Sequence, residues 1–182
     1  MGEVVIRPLH DRIIVRMDEC ASVTSGGILL TEDSADVPNT ATVVAVGNLV
    51  NREGSDLKPG DRVMLMERCG FNVKDGTTII TCNDVIGVIG ESSFKPMHER
   101  VLVLMDDVND VTAGGIILPE DGVDIVNTGT VKAYGSLVNK QGEDIEVGDT
   151  VMVTKYAGLN VNVGGVDHKL LLCNDMIGVI EQ

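Results

Sequence analysis

The chain is written twice, and this repeat limits what it can fold into. The stretch IRPLHDRIIVRMDE, which begins at Ile6, returns as FKPMHERVLVLMDD from Phe94, an offset of 88 residues. After Gly164 the offset becomes 91, and CNDVIGVI from Cys82 matches CNDMIGVI from Cys173. Because both halves are complete, the pattern predicts two tandem domains, residues 1–91 and 92–182, and not a solenoid.

Each half contains five short apolar runs separated by Gly, Pro, Asn and Asp. The runs are RIIVRM, ATVVAVG, DRVMLM, TTIITC and VIGVI in the first half, and RVLVLM, GTVKAYG, DTVMVT, HKLLLC and MIGVI in the second. Runs of this length, rich in β-branched residues, predict strands of a small antiparallel barrel or sandwich. No stretch keeps a helical period. The predicted fold class is all-β, twice.

A long polar and acidic segment separates the first two strands of each half. It runs from about Met17 to Thr40, and again from Met105 to Thr128. Connections longer than ~15 residues in compact domains are usually functional or disordered. A polar acidic segment buries too little apolar area to offset its ordering entropy, so we expect it to be a mobile loop.

An aliphatic triplet nevertheless stands in the middle of each segment, after two glycines. These residues are Gly26, Gly27, Ile28, Leu29 and Leu30 in the first half, and Gly114, Gly115, Ile116, Ile117 and Leu118 in the second. On a mobile arm, the triplet suits docking into a partner's groove, since burying each side chain contributes ~1.5–3 kcal/mol. The alternative is a hairpin strand packed on its own barrel, with the glycines as its turn.

Charge restricts the kind of partner. The chain has 28 acidic and 14 basic side chains, a net charge of −14. Nucleic acid and anionic membranes are therefore not expected as partners, because both would be repelled. No apolar run reaches the ~18 residues that span a bilayer, and no secretory signal is visible. We expect a soluble intracellular chain.

No cysteine or histidine cluster predicts a metal or a catalytic site. Cys82 and Cys173 each precede Asn-Asp, and we expect them to be small buried residues in equivalent strands. His10 and His98 follow Pro-x in equivalent turns, beside an acid, which favours a hydrogen-bonded turn over a metal ligand or general base.

These motifs together resemble the ten-kilodalton, GroES-like co-chaperonins. The first half carries IRPLHDRIIV, SGGILL, VVAVGN, PGDRVM and NDVIGVI, and the second carries FKPMHERVLVLMDD, AGGIILPE, GDTVMVTKYAG and NDMIGVIE. The resemblance covers nearly the whole chain, and the duplication is similar to the twenty-kilodalton tandem co-chaperonins of plastids. It implies two GroES-like β-barrel domains, each with a mobile loop, and a location in the chloroplast stroma, or alternatively the bacterial cytoplasm or another organelle matrix.

The resemblance also implies a function. The triplets, with the glycines setting their turn, would dock on a sixty-kilodalton, GroEL-like chaperonin when that partner holds nucleotide, so that a client protein is enclosed. The chain itself would be no enzyme and would need no cofactor or metal, since ATP is bound by the partner. We expect a homo-oligomeric ring of about four chains, or a mixed ring with single-domain co-chaperonins.

Three features depart from the family pattern or differ between the halves. The connections NLVNREGSDLKPGD and SLVNKQGEDIEVGD are compact where the family forms the roof of a dome, so an open or small roof is expected. A tyrosine facing the cage, Tyr156, is expected only in the second half. Pro119 follows the second triplet where Thr31 follows the first; because proline favours an extended preceding residue, the second loop is expected to bind somewhat better.

Two other classes of protein share this type of barrel. A zinc-dependent dehydrogenase would need metal ligands at the right spacing and a following dinucleotide-binding domain, and neither is present in the sequence. A ligand-binding barrel would need an internal apolar cavity lined by inward-facing residues, and it offers no reason for two aliphatic triplets.

Overall fold

The structure, a computed structural model, describes residues 6–18, 39–53, 55–66, 69–73, 76–106, 127–141, 144–154 and 156–180. These residues form strands and short 3-10 turns, and none of the described ranges holds an α-helix. The predicted all-β class is confirmed. Contacts divide the chain into two compact units, Met1–Gly90 and Glu91–Gln182.

Thirteen strands are described. Unit 1 holds β1 (Arg12–Met17), β2 (Asn39–Val46), β3 (Arg62–Leu65), β4 (Phe71–Asn72), β5 (Thr78–Thr81) and β6 (Val85–Ile89). Unit 2 holds β7 (Phe94–Pro96), β8 (Arg100–Met105), β9 (Asn127–Tyr134), β10 (Thr150–Val153), β11 (Leu159–Val163), β12 (Val166–Leu172) and β13 (Met176–Val179). All ten predicted runs form strands, while β4, β7 and β11 are strands that the runs did not predict.

The two units repeat one antiparallel topology. The order is β4-β5-β1-β2-β3-β6 in unit 1 and β11-β12-β8-β9-β10-β13 in unit 2. Even the irregularities are duplicated: a shift between Ile14 and Val15 against β2 returns between Leu102 and Val103 against β9. A register shift changes which side chains face the core. Because the shift is repeated at equivalent positions, equivalent side chains of the two units face their cores.

Branched aliphatic side chains fill the core of each unit. In unit 2 the buried cluster draws on β8, β9, β10, β12 and the connection after β9, with Val101, Val103, Val131, Val138, Ile145, Val151, Val153 and Leu171. The equivalent residues of unit 1 are equally buried: Ile13, Ile80, Leu57, Leu65, Val15, Val43, Val50 and Val63. Strands β8, β9, β10 and β12 thus contribute to one packed interior in unit 2, and their equivalents do so in unit 1.

The hairpin of β11 and β12 accounts for the change of offset from 88 to 91. Its five-residue strand β11 corresponds to the two-residue strand β4, and its turn is made by Gly164 and Gly165, both at positive φ. The three extra residues therefore lengthen one edge hairpin of unit 2 and leave the core positions unchanged.

Candidate functional site

The predicted docking residues lie outside the described residues. Segments 19–38 and 107–126 contain Gly26, Gly27, Ile28, Leu29, Leu30, Gly114, Gly115, Ile116, Ile117 and Leu118. What the structure describes is the root of each segment, where the chain leaves one strand and enters the next. In both units these strands, β1 with β2 and β8 with β9, are hydrogen-bonded neighbours.

An aspartate and a threonine join the two ends of each segment. In unit 1 the Asp18 amide donates to the Thr40 carbonyl at 2.9 Å, and the Thr40 hydroxyl donates to the Asp18 carboxylate at 2.6 Å. In unit 2 Asp106 and Thr128 repeat both bonds, at 3.0 and 2.7 Å. The described residues at the two ends of each segment therefore meet at one point of the sheet.

Arg62 adds a third contact at the root in unit 1. Its Nε donates to Asp18 Oδ2 at 2.9 Å. The hydrogen bond from Thr40 and, to a lesser extent, the contact with Arg62 hold the pKa of Asp18 below its ordinary value, although partial burial opposes them. Asp18 therefore stays charged at neutral pH and can keep both partners.

The histidine turns are tight backbone features. His10 and His98 have φ of 57° and 59°, a left-handed conformation that non-glycine residues rarely adopt. The His10 carbonyl accepts from the Leu49 amide at 2.9 Å, and the His98 carbonyl accepts from the Leu137 amide at 3.1 Å. These residues join two strand ends through their backbone, which is a structural role.

Equivalent asparagines close the compact connection in each unit. Asn51 bonds both the amide and the carbonyl of Leu57, at 2.8 and 2.9 Å. Asn139 does the same to Ile145, at 3.0 and 2.8 Å. Leu57 and Ile145 are buried, so each connection folds back onto its own core. The sequence showed that these connections are short but not what holds them.

The two equivalent cysteines are not strand residues. Cys82 and Cys173 each begin a 3-10 turn, Cys82–Asp84 and Cys173–Asp175, where an aspartate three residues after the last strand residue accepts from its amide. Cys82 is buried but Cys173 is only half-buried. The expectation that both cysteines are strand residues is therefore wrong. The expectation that both are buried is correct for Cys82 and wrong for Cys173.

Two aromatic side chains near equivalent hairpins are exposed. Phe71 lies on β4, and Tyr156 precedes β11 by three residues. The sequence predicts a cage-facing tyrosine only in unit 2, and that stays a prediction; Tyr156 is exposed there, and unit 1 has the exposed Phe71 near the equivalent hairpin.

A pocket of about 400 Å³ lies beside β13 in unit 2, lined in part by Ile145, Cys173, Met176 and Ile177. It is at the surface, while the interior of the unit is filled by the buried cluster. A ligand-binding barrel would place its cavity inside. The described residues also hold no group of three His, Cys, Asp or Glu side chains suited to a metal ion.

A comparison with protein families shows to which class of barrel protein the chain belongs. The model described as "Chaperonin 10 Kd subunit" matches residues 5–89 and matches again residues 93–180.

The chain belongs to the chaperonin 10 family.

The chain is similar to relatives that match it over nearly its whole length and to relatives that match one half of it. The chain is 28% identical to the 20 kDa chaperonin, chloroplastic, of Spinacia oleracea, over 96% of this chain and 75% of that protein. It is 27% identical to the protein of the same name from Arabidopsis thaliana. Half of it is 41% identical to Co-chaperonin GroES of Treponema denticola, over 48% of this chain and 97% of that protein. The predicted likeness to tandem co-chaperonins is confirmed.

No described helix is long or apolar enough to cross a membrane.

Proposed function

We propose that this co-chaperonin closes the cavity of a sixty-kilodalton, GroEL-like chaperonin and encloses an unfolded client protein. The observation that carries the proposal is the family match in each half, over residues 5–89 and 93–180. Each half also presents one long segment between two neighbouring strands, and each segment contains one aliphatic triplet. A lid with two arms per chain is the simplest function for that duplicated arrangement.

The docking residues are the two triplets and the glycine pairs before them: Gly26, Gly27, Ile28, Leu29, Leu30, Gly114, Gly115, Ile116, Ile117 and Leu118. Three aliphatic side chains buried in a groove contribute several kcal/mol at ~1.5–3 kcal/mol each, against the cost of ordering the segment. One arm alone therefore binds weakly. Several arms on one lid act together through their high effective concentration, so capping is tight while each contact stays reversible.

We extend the proposal to the chemistry of the cycle: this chain is no enzyme, binds no cofactor or metal, and leaves ATP hydrolysis to the chaperonin. The sequence contains no Gly-x-x-x-x-Gly-Lys-[Ser/Thr] phosphate loop. The exposed Phe71 and Tyr156 are suited to touching an enclosed client, because a single aromatic side chain offers a large apolar contact.

A difference in exposure between equivalent residues supports self-association. Ile177 on β13 is 56% exposed, whereas its equivalent on β6, Ile86, is 2% exposed. Leu9, before β1, is 58% exposed, whereas its equivalent Met97 is 2% exposed. The exposed members stand near the two ends of the chain, and β13 ends the sheet order of unit 2. A second copy that pairs the described residues before its β1 with β13 would bury both.

We propose that repetition of this contact forms a closed ring and not an open filament. We propose a ring of about four chains, or a mixed ring with single-domain co-chaperonins. Each chain brings two arms, so a ring of identical chains has an even number of them. A seven-fold chaperonin offers an odd number of sites, so either one arm stays unused or a single-domain co-chaperonin makes the numbers equal. Isologous or head-to-tail contacts both bury apolar surface, but only head-to-tail contacts between unlike ends form rings.

The proposed location is the chloroplast, which the names of the Spinacia oleracea and Arabidopsis thaliana relatives support, and within it the stroma. The bacterial cytoplasm is the alternative, because the GroES relatives are from bacteria such as Treponema denticola.

Nucleotide-dependent complex formation tests the lid. A purified sixty-kilodalton chaperonin is mixed with the chain and passed over a size-exclusion column with and without ATP. We expect co-elution only with ATP, and loss of co-elution when Ile28, Leu29, Ile116 and Ile117 are all replaced by Ser. Co-elution of that variant would exclude the triplets as docking residues, and no co-elution of either chain would exclude the lid.

Light scattering tests the ring. Ile177→Asp is expected to reduce the native oligomer to single chains, because a charge in the contact is not compensated. Val44→Asp, at an exposed position on β2, is the control and leaves the mass unchanged. Equal masses for all three proteins would exclude β13 as the contact.

A further inference from the structure

The two segment roots are held differently, although their sequences are close repeats. In unit 1 the Asp18 carboxylate accepts from Thr40 on β2 and from Arg62 on β3, so the root is fixed to two strands. The N···O distance between Arg62 and Asp18 is 2.9 Å, with the arginine half-exposed and the aspartate more buried. Charge-assisted bonds of this length are the stronger kind of side-chain contact.

Unit 2 lacks the arginine at the equivalent position. Thr150 stands opposite Thr130 on β9, as Arg62 stands opposite Thr42 on β2. Thr150 is uncharged and cannot form an ion pair with Asp106, which keeps its bonds to Thr128. The root of segment 107–126 is therefore joined to β9 by Asp106 and Thr128, and Asp106 has no arginine contact to β10 like the one that Asp18 makes to β3.

We infer that Arg62 is a positioning residue for the docking segment of unit 1, because it holds Asp18, the last described residue before segment 19–38, to β3 as well as to β2. The inference rests on the proposed function, because it assigns a role to a residue near the docking arm. A fixed root removes part of the orientational freedom that the arm loses on docking, so the arm binds more tightly. The second arm works without this restraint.

The matched substitution is Arg62→Thr, which gives unit 1 the residue of unit 2. It is made in a chain whose second arm is inactivated by Ile116→Ser and Ile117→Ser, so that binding depends on the first arm and Pro119 plays no part. Binding of this chain to a sixty-kilodalton chaperonin with ATP is expected to weaken about two- to fivefold per arm, the range of a partly exposed ion pair. High salt is expected to remove the difference.

Arg16→Thr is the control for charge. Arg16 on β1 is exposed and stands opposite Thr42, as Arg62 does from the other side, so its loss removes the same charge from the same row. We expect Arg16→Thr to leave binding unchanged. Equal weakening by both substitutions would mean a general charge effect and would overturn the inference.

Two further variants separate positioning from stability. Asp18→Asn and Arg62→Thr are expected to weaken binding non-additively, because each removes one side of the same contact. Thr150→Arg, in a chain whose first arm is inactivated by Ile28→Ser and Leu29→Ser, is expected to strengthen binding through the second arm. Additive losses, or no gain from Thr150→Arg, would overturn the positioning role.

A measurement without chaperonin keeps this inference distinct from the proposed function. The Asp18 amide is expected to exchange its hydrogen more slowly than the Asp106 amide, and Arg62→Thr is expected to bring the two rates together. If exchange behaves so but no chain binds a chaperonin, the proposed function fails and the docking role of Arg62 fails with it. If chains bind but Arg62→Thr changes neither exchange nor binding, only the inference fails.

Discussion

The carbonyl oxygen of His10 lies where residue 47 would carry a side chain. A Cβ built on Gly47 would be 2.3 Å from that oxygen, and one built on Gly135 would be 2.2 Å from the His98 oxygen. The same carbonyls accept hydrogen bonds from Leu49 and Leu137, so the turn cannot withdraw without losing them. The glycine that follows β2 in unit 1 and β9 in unit 2 therefore permits the left-handed histidine turn of each unit.

Gly47→Ala is expected to destabilise unit 1 by about 1–3 kcal/mol, because the added methyl group forces the backbone of the turn to move. Gly135→Ala is expected to do the same to unit 2. Urea unfolding measures both. Ser136→Ala, next to Gly135 and exposed, is the control and should change the free energy by less than ~0.5 kcal/mol. An alanine at either glycine with no more effect than this control would refute the steric account.

Asn51→Ala is expected to cost about 1–3 kcal/mol, since it leaves the amide and carbonyl of buried Leu57 without their partner. Asn139→Ala has the same consequence at Ile145. The exposed Arg52, on the same 3-10 turn as Asn51, supplies a control in Arg52→Ala. Chemical denaturation that ranks Arg52→Ala with Asn51→Ala would show that the asparagine is not what closes the connection.

The contribution of Asp18 to stability is expected to depend on pH. Its pKa is lower in the folded chain than in the unfolded chain, so its stabilising effect is present above the unfolded value of ~3.9 and is lost as the pH falls through the folded value. Asp18→Asn should cost about 0.2–1 kcal/mol at neutral pH and progressively less below pH ~4. Unfolding of both chains between neutral and acidic pH checks this; a difference that grows on acidification would contradict it.

Cys69 is expected to react slowly with iodoacetamide. Burial, and to a lesser extent the negative charge of Asp84, raise the pKa of its thiol, and the thiolate is the reactive form. A chain that keeps Cys69 as its single cysteine should show a reactivity midpoint above the ordinary thiol pKa, which falls to the ordinary value in denaturant. Asp84→Asn should lower the midpoint in the folded chain. A midpoint at or below that of the unfolded chain would show that the site is not protected.

The sequence predicts much of this fold because the repeat supplies two copies of every signal. Runs such as RIIVRM and RVLVLM become β1 and β8 with the same bounds, since apolar side chains that must be buried on one face set the strand. The short strand β4 could not be predicted, because two residues carry no periodicity. Cys82 and Cys173 were misplaced because the 3-10 turn depends on an aspartate accepting from the backbone three residues back, a bond that hydrophobic patterning does not reveal.

The site is predictable only in part, for a different reason. The aliphatic triplets are recognised by composition and by their position in an acidic segment, and their docking role stays a prediction. The Arg62–Asp18 contact joins residues 44 positions apart. Arg62 reaches the root only because the register of β3 on β2 sets it opposite Thr42, two residues from Thr40 on the same strand. A comparison of the halves shows that Thr150 replaces Arg62, but not that the arginine reaches the aspartate.

The most direct test of the central claim is the ATPase activity of a sixty-kilodalton chaperonin, measured with increasing amounts of this chain. We expect the native chain to inhibit it, and the chain with Ile28, Leu29, Ile116 and Ile117 changed to Ser to have no effect. Inhibition by both chains alike, or by neither at concentrations well above micromolar, would contradict a lid that docks through its two aliphatic triplets.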